Sequence, residues 1–85
     1  MKLRILYFAR LREALGVSAE EPELPAQVAT VDALIGWLRA RGGVWAVELA
    51  EGRAFRVAVN QEMAAPDTPL AAGDEVALFP PVTGG

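Results

Sequence analysis

The chain has 85 residues, 53% of them hydrophobic, a net charge of −3, and neither cysteine nor histidine. That composition describes one domain with one core. It removes disulfides, the usual zinc ligands, thiol nucleophiles and the imidazole base, so no self-contained active site is expected. The acidic balance and the lack of any Lys/Arg cluster exclude nucleic acid as a partner. No apolar run approaches the ~18 residues of a membrane span. Met1-Lys2-Leu3-Arg4 alternates instead of forming a signal-peptide block, so a cytoplasmic protein without a membrane partner is expected. Of the eight basic residues only Lys2 is lysine, a bias that by itself decides nothing about function.

In chain order, Lys2 to Phe8 alternates as a strand, with Leu3, Ile5 and Tyr7 facing a core. Phe8 falls on the other face, either as a contact residue or covered by the next segment of the chain. Arg10 to Leu15 makes a short helical turn stopped by Gly16. Ser18 to Leu24 carries Glu20, Glu21 and Glu23 and is interrupted by Pro22, so it fits only an edge strand with a solvated acidic rim.

Thr30 opens the clearest helix. It is a good N-cap, Asp32 sits in the first turn, and Val31, Leu34, Ile35 and Leu38 recur at helical spacing. Gly42 supplies the stop, and Gly36 inside the helix suggests a close backbone approach. Val44 to Leu49, with Trp45, reads as a second short helical piece at the core margin. Phe55 to Val59 alternates again, with Phe55, Val57 and Val59 inward and Arg56 and Ala58 outward. Asn60-Gln61-Glu62 reads as a turn. Met63 after it reads from pattern alone as a core filler, with an adaptable surface contact as the alternative. Glu75 to Phe79 is the last strand, with Val76 and Leu78 inward and Phe79 outward.

This order predicts an α+β layer pair, a mixed four- to five-stranded sheet with one main helix packed on one face. Phe8 and Phe79 become neighbours if the first and last strands pair. An aromatic pair on the free face is best explained by a partner that docks there.

The chain ends Phe79-Pro80-Pro81-Val82-Thr83-Gly84-Gly85. Two prolines without backbone donors cannot continue a ladder, so residues 1–79 are expected to form the domain and 80–85 a flexible, extended tail. Val82 and Thr83 favour extended backbone, and Gly84 and Gly85 pass where side chains would not. At about 3.3–3.6 Å per residue the tail reaches roughly 20 Å, enough to enter a partner's active site. Its terminal carboxylate is the one group there with chemistry. Ionised at neutral pH, it could attack the α-phosphate of ATP and so become an acyl donor.

The element order, the opening Leu6-Tyr7-Phe8-Ala9-Arg10-Leu11-Arg12-Glu13, Val59-Asn60-Gln61, Gly73-Asp74-Glu75-Val76-Ala77 and the Pro-Pro-Val-Thr-Gly-Gly ending resemble the ubiquitin-like β-grasp sulfur carriers, in particular the small subunits of molybdopterin synthase. The resemblance implies a sulfur carrier in molybdenum cofactor biosynthesis with no permanently bound cofactor. Gly85 would be adenylated by an ATP-dependent adenylyltransferase/sulfurtransferase and converted to a thiocarboxylate. It would then enter the molybdopterin synthase large subunit, where sulfur passes to cyclic pyranopterin monophosphate. Pro81, Val82, Thr83 and Gly84 would thread the tail, and Phe8, Met63 and Phe79 match the family's interface patch. A carrier for thiamine or tRNA thiolation, or a protein modifier, is the alternative. A chain without thiol or imidazole also has nothing internal to intercept the activated terminus.

Overall fold

The computed structural model describes residues 1–81. It begins with β1 (Arg4–Tyr7), whose alternation is realised as expected: Leu3, Ile5 and Tyr7 are all within 1% of full burial. Ala9, at φ 52°, turns the chain sharply into α1 (Ala9–Leu15), which buries Leu11 and Leu15. Gly16 ends this helix in the left-handed region at φ 75°, donating its N–H to the Arg12 carbonyl at 3.0 Å.

The acidic segment is an edge strand, as Pro22 requires. β2 (Ala19–Glu20) pairs antiparallel with β1, and an isolated bridge from Lys2 to Glu23 continues the contact. Pro22 takes part only through its carbonyl, which accepts from the Leu3 N–H at 3.4 Å.

α2 (Val31–Arg39) is the main helix. The Thr30 hydroxyl accepts from the Ala33 N–H at 3.2 Å, and Val31, Leu34, Ile35 and Leu38 form its buried stripe. Two expectations about its glycines change. A Cβ on Gly36 would meet nothing within 4 Å, so no close approach occurs there. The helix ends at Ala40 in a right-handed conformation, through tight turns from Arg41 to Leu38 and from Gly42 to Arg39. The left-handed step comes later, at Gly42 with φ 78°. α3 (Val44–Glu48) comes next, and Trp45 packs edge-on to Tyr7 with centroids 5.5 Å apart.

β3 (Arg56–Val59) and β4 (Glu62–Met63) form a hairpin. The turn is Asn60-Gln61, both at positive φ (50° and 69°), and Glu62 belongs to the strand rather than to the turn. The Asn60 side chain pins this hairpin to the next strand, accepting from the Glu75 N–H and donating to Asp74, each at 3.0 Å.

β5 (Glu75–Phe79) fills the centre. The sheet order is β2-β1-β5-β3-β4, with β1 and β5 parallel and the other neighbours antiparallel. Val76 and Leu78 are fully buried beneath α2, α1 and α3, in one cluster with Leu11, Leu34, Leu38 and Leu49. The layers are those expected: a mixed five-stranded sheet, helices on one face, and the other face uncovered.

Candidate docking face and the root of the tail

The uncovered sheet face is laid out by strand register, because residues directly opposite one another share a face. Ala19 lies opposite Leu6, Leu6 opposite Ala77, Ala77 opposite Ala58, and Ala58 opposite Met63. These five side chains make one apolar row across all five strands. The row is low at its centre, where two alanines sit, and rises to Met63, which is 65% exposed. Met63 is therefore a surface residue, and the reading of it as a core filler is wrong. β4 is an edge strand of two residues with no helix over its outer side. Ala58, expected outward, keeps that direction yet is only 9% exposed, since its small side chain lies between Ala77 and Met63.

One step towards the C-terminal end of β5 lies an aromatic row. Tyr7 pairs with Leu78, and the Phe8 N–H donates to the Leu78 carbonyl at 3.1 Å, which brings Phe8 alongside Phe79. Phe8 is 43% exposed and Phe79 half-buried, so neither is enclosed by its own chain. Arg56 lies opposite Phe79 on the far side, its guanidinium making only a 3.5 Å contact with the Phe55 carbonyl. One step in the other direction the face turns polar, with Arg4 opposite Glu75. The apolar surface thus strengthens towards the point where the chain leaves the sheet.

That point is Pro80-Pro81, half-buried and outside the ladder. The expected threading residues Val82, Thr83 and Gly84 and the terminal Gly85 lie outside the described residues. Covalent geometry alone lets the four residues beyond Pro81 extend about 13–14 Å further.

The structure brings Phe8, Phe79 and Met63 onto one face, as the sequence suggested for the two aromatics. It adds Leu6, Ala77, Ala58 and Arg56, which only the register identifies. It also adds a buttress behind the face that periodicity could not reveal. Glu20 accepts from Arg41 through both oxygens, at 2.7 and 2.9 Å, and from the Tyr7 hydroxyl at 2.7 Å. Arg41 in turn lies over Trp45 and Trp37, 4.4 and 5.1 Å from their centroids. Burial works to raise the Glu20 pKa, but the hydrogen bonds from Arg41 and Tyr7 prevail and hold it below the usual carboxylate value. The Tyr7 hydroxyl is pushed up, by burial first and then by the bond to Glu20. The network ties the β2 edge to α2 and α3.

A cleft of about 390 Å³ lies elsewhere, between α2 and the loop before β3, with Arg39, Arg53, Asp32 and Glu51 among its lining residues. Among the described residues there is no cluster of three or more metal-ligating side chains, and no helix is long and apolar enough to cross a membrane.

A helix-backed mixed sheet with a free apolar face, and a last strand led outward beside it, is the ubiquitin-like β-grasp class. The chain belongs to the ThiS family, whose model matches residues 5–85. It is 45% identical to the molybdopterin synthase sulfur carrier subunit of Escherichia coli (strain K12), over 98% of this chain and 99% of that one. Among solved structures, a putative molybdopterin converting factor subunit 1 from Pyrococcus furiosus superposes with a TM-score of 0.80 at 34% identity, covering 96% and 99% of the two chains. The same fold occurs in a complex of subunits 1 and 2 of the molybdopterin-converting factor from Helicobacter pylori. There the TM-score is 0.67 at 22% identity, with both chains fully covered.

Proposed function

We propose that this chain is the sulfur carrier subunit of molybdopterin synthase, acting in the cytoplasm in molybdenum cofactor biosynthesis. The Gly85 carboxylate attacks the α-phosphorus of ATP on an activating adenylyltransferase, and pyrophosphate leaves. A sulfur nucleophile then displaces AMP from the acyl carbon and leaves a thiocarboxylate. Within the synthase complex that sulfur passes to cyclic pyranopterin monophosphate. The carrier contributes no acid, base or metal to these steps; its part is to dock and to deliver.

The observation that carries this reading is the parallel pairing of β1 with β5, which sets Phe8 beside Phe79 where the chain leaves the sheet. A partner that covers this aromatic row receives the tail in the same act. The 45% identity to a named sulfur carrier subunit over nearly the whole chain supports the choice of sulfur as cargo. Pro81, Val82, Thr83 and Gly84 form the thin connector, and Phe8, Met63 and Phe79 the contact surface for the large subunit and the activating enzyme in turn.

The test is intact-mass measurement after incubation with ATP, the activating enzyme and a sulfur donor. Exchange of one oxygen for sulfur, absent when Gly85 is deleted, is the expected result. An unchanged mass alongside confirmed enzyme activity on another carrier would overturn the reading. A carrier for thiamine or tRNA thiolation would form the same thiocarboxylate and fail to support dithiolene formation with the synthase large subunit.

A further inference from the structure

We propose that the free sheet face also pairs with the same face of a second copy of this chain, about a two-fold axis that runs along β5. The inference rests on the carrier reading only where it sets this pairing in competition with the large subunit, since both would cover the same rows.

A face can meet its own copy symmetrically only about an axis that lies in the plane of contact, and the rows decide which axis it is. An axis across the strands reverses strand direction. It lays Phe8 and Phe79 on Arg4 and Glu75 of the other copy, and sets the raised Met63 against itself. An axis along β5 keeps each row on its own kind. The apolar row Ala19-Leu6-Ala77-Ala58-Met63 then meets itself in reverse order. Met63, 65% exposed, comes over Ala19 of the other copy, Leu6 comes over the low-lying Ala58, and Ala77 meets Ala77 on the axis. Each large side chain faces a small one, as the inner faces of packed sheets require.

The aromatic row Phe8-Phe79-Arg56 reverses in the same way. Phe79 meets Phe79, and Phe8 meets the Arg56 guanidinium, which has no ion-pair partner among the described residues and suits an aromatic face. At the other end Glu75 would face Glu75, and like charges keep the sheets apart there. The contact is thus confined to the two rows. Five strands about 4.8 Å apart and two rows about 7 Å deep make a patch of about 20 by 14 Å, roughly 300 Å² per copy. The total of about 600 Å² is below the ~1,200 Å² at which stable interfaces begin, so the pair forms and separates readily. A carrier between partners has its apolar rows covered and is still free to be claimed by the large subunit.

The chain has no cysteine, so single substitutions allow cross-linking without background. The full chain carrying Ala77→Cys, treated with a short bismaleimide at micromolar to millimolar concentration, should give a covalent dimer several times faster than Val47→Cys, which lies exposed on α3 behind the sheet and reports random encounter. Ala19→Cys should link poorly to itself, because the pairing holds the two copies of that position about 19 Å apart, and should link well when mixed with Met63→Cys. Both positions lie on edge strands, so this arm does not depend on tolerance at Ala77. Sedimentation of the unsubstituted chain should show weak association that grows with concentration. A strictly monomeric chain, Ala77→Cys linking no faster than Val47→Cys, or Ala19→Cys linking to itself as readily as to Met63→Cys would each overturn the pairing. Added large subunit should suppress the Ala77→Cys dimer. A dimer that survives saturating large subunit would support the pairing and overturn the docking reading of the face, so the two failures are distinct.

Discussion

Arg41 grips both carboxylate oxygens of Glu20 across 21 residues of sequence, at 2.7 and 2.9 Å, and so fastens an edge strand of two residues to the helical layer. The Glu20 carboxyl is held below its usual pKa in the folded chain. A carboxyl depressed on folding stabilises above its unfolded pKa, and that stability disappears as the pH falls through the folded value. Glu20→Gln should therefore lower stability near neutrality and make no difference in strong acid. Both partners are partly exposed, so the neutral-pH loss should be about 1 kcal/mol, or roughly 4–8 °C in Tm for a domain of this size. Thermal melts of both proteins from pH 7 down to pH 2 check it; a gap that persists unchanged into acid would show that the carboxylate charge is not what matters.

The apolar rows predict a separation between binding and stability. Phe8 and Met63 are 43% and 65% exposed, so replacing either by serine should leave Tm within a few degrees of the parent. Binding to the synthase large subunit should suffer, since burying such a side chain is worth about 1.5–3 kcal/mol, or one to two powers of ten in Kd. Phe79→Ser should show the same loss with a larger cost to stability, because Phe79 is half-buried within β5. Calorimetric titration alongside thermal melts distinguishes the two effects. If Phe8→Ser binds as tightly as the parent, the free face is not the docking face.

The parity of Phe79 and Phe8 was readable from the sequence because alternation along a strand is local, and a central pair of apolar strands has few ways to lie. The edge character of the acidic segment was readable from Pro22, and the start of the main helix from Thr30. What could not be read is everything set by register between strands. Whether Met63 faces in or out, and whether Ala58 is shaded, depends on which residue of β3 opposes which residue of β4. The Tyr7–Glu20–Arg41 network joins residues 13 and 21 positions apart through side chains alone, and neither spacing leaves a periodic trace. Gly36 misled because a helical glycine suggests close packing, while here its missing side chain faces open space.

The β3–β4 turn offers a direct test of local strain. Gln61 holds φ 69° in a two-residue hairpin turn, a conformation that Asn-Gly sequences adopt most readily. A left-handed backbone costs a residue with a Cβ about 1–2 kcal/mol, and glycine avoids it at some loss of unfolded-state entropy. Gln61→Gly should therefore raise stability by up to about 1 kcal/mol. Urea unfolding should show a higher midpoint with an unchanged slope; a lower midpoint would mean that the Gln61 side chain contributes more than its backbone costs.

The absence of cysteine and histidine makes a prediction about the activated terminus itself. Arg56 lies opposite Phe79, at the root of the tail and exposed, so Arg56→Cys places a thiol to which the six residues after Phe79 are long enough to return. A free thiol has a pKa near 8.5, which leaves a few per cent as thiolate at neutral pH, and thiolate is a far better acyl acceptor than water. It should attack the Gly85 acyl-adenylate, displace AMP and close a thioester ring before the external sulfur donor arrives. The yield of thiocarboxylate should then fall, and a product lighter than the parent by one water should appear in the intact mass, to be released by added hydroxylamine. Arg56→Ser, which removes the same cation without supplying a thiol, separates this capture from any loss of docking. Equal thiocarboxylate yields from the cysteine and serine variants would mean that the activating enzyme shields the adenylate completely and that the chain's composition gives it no protection of its own.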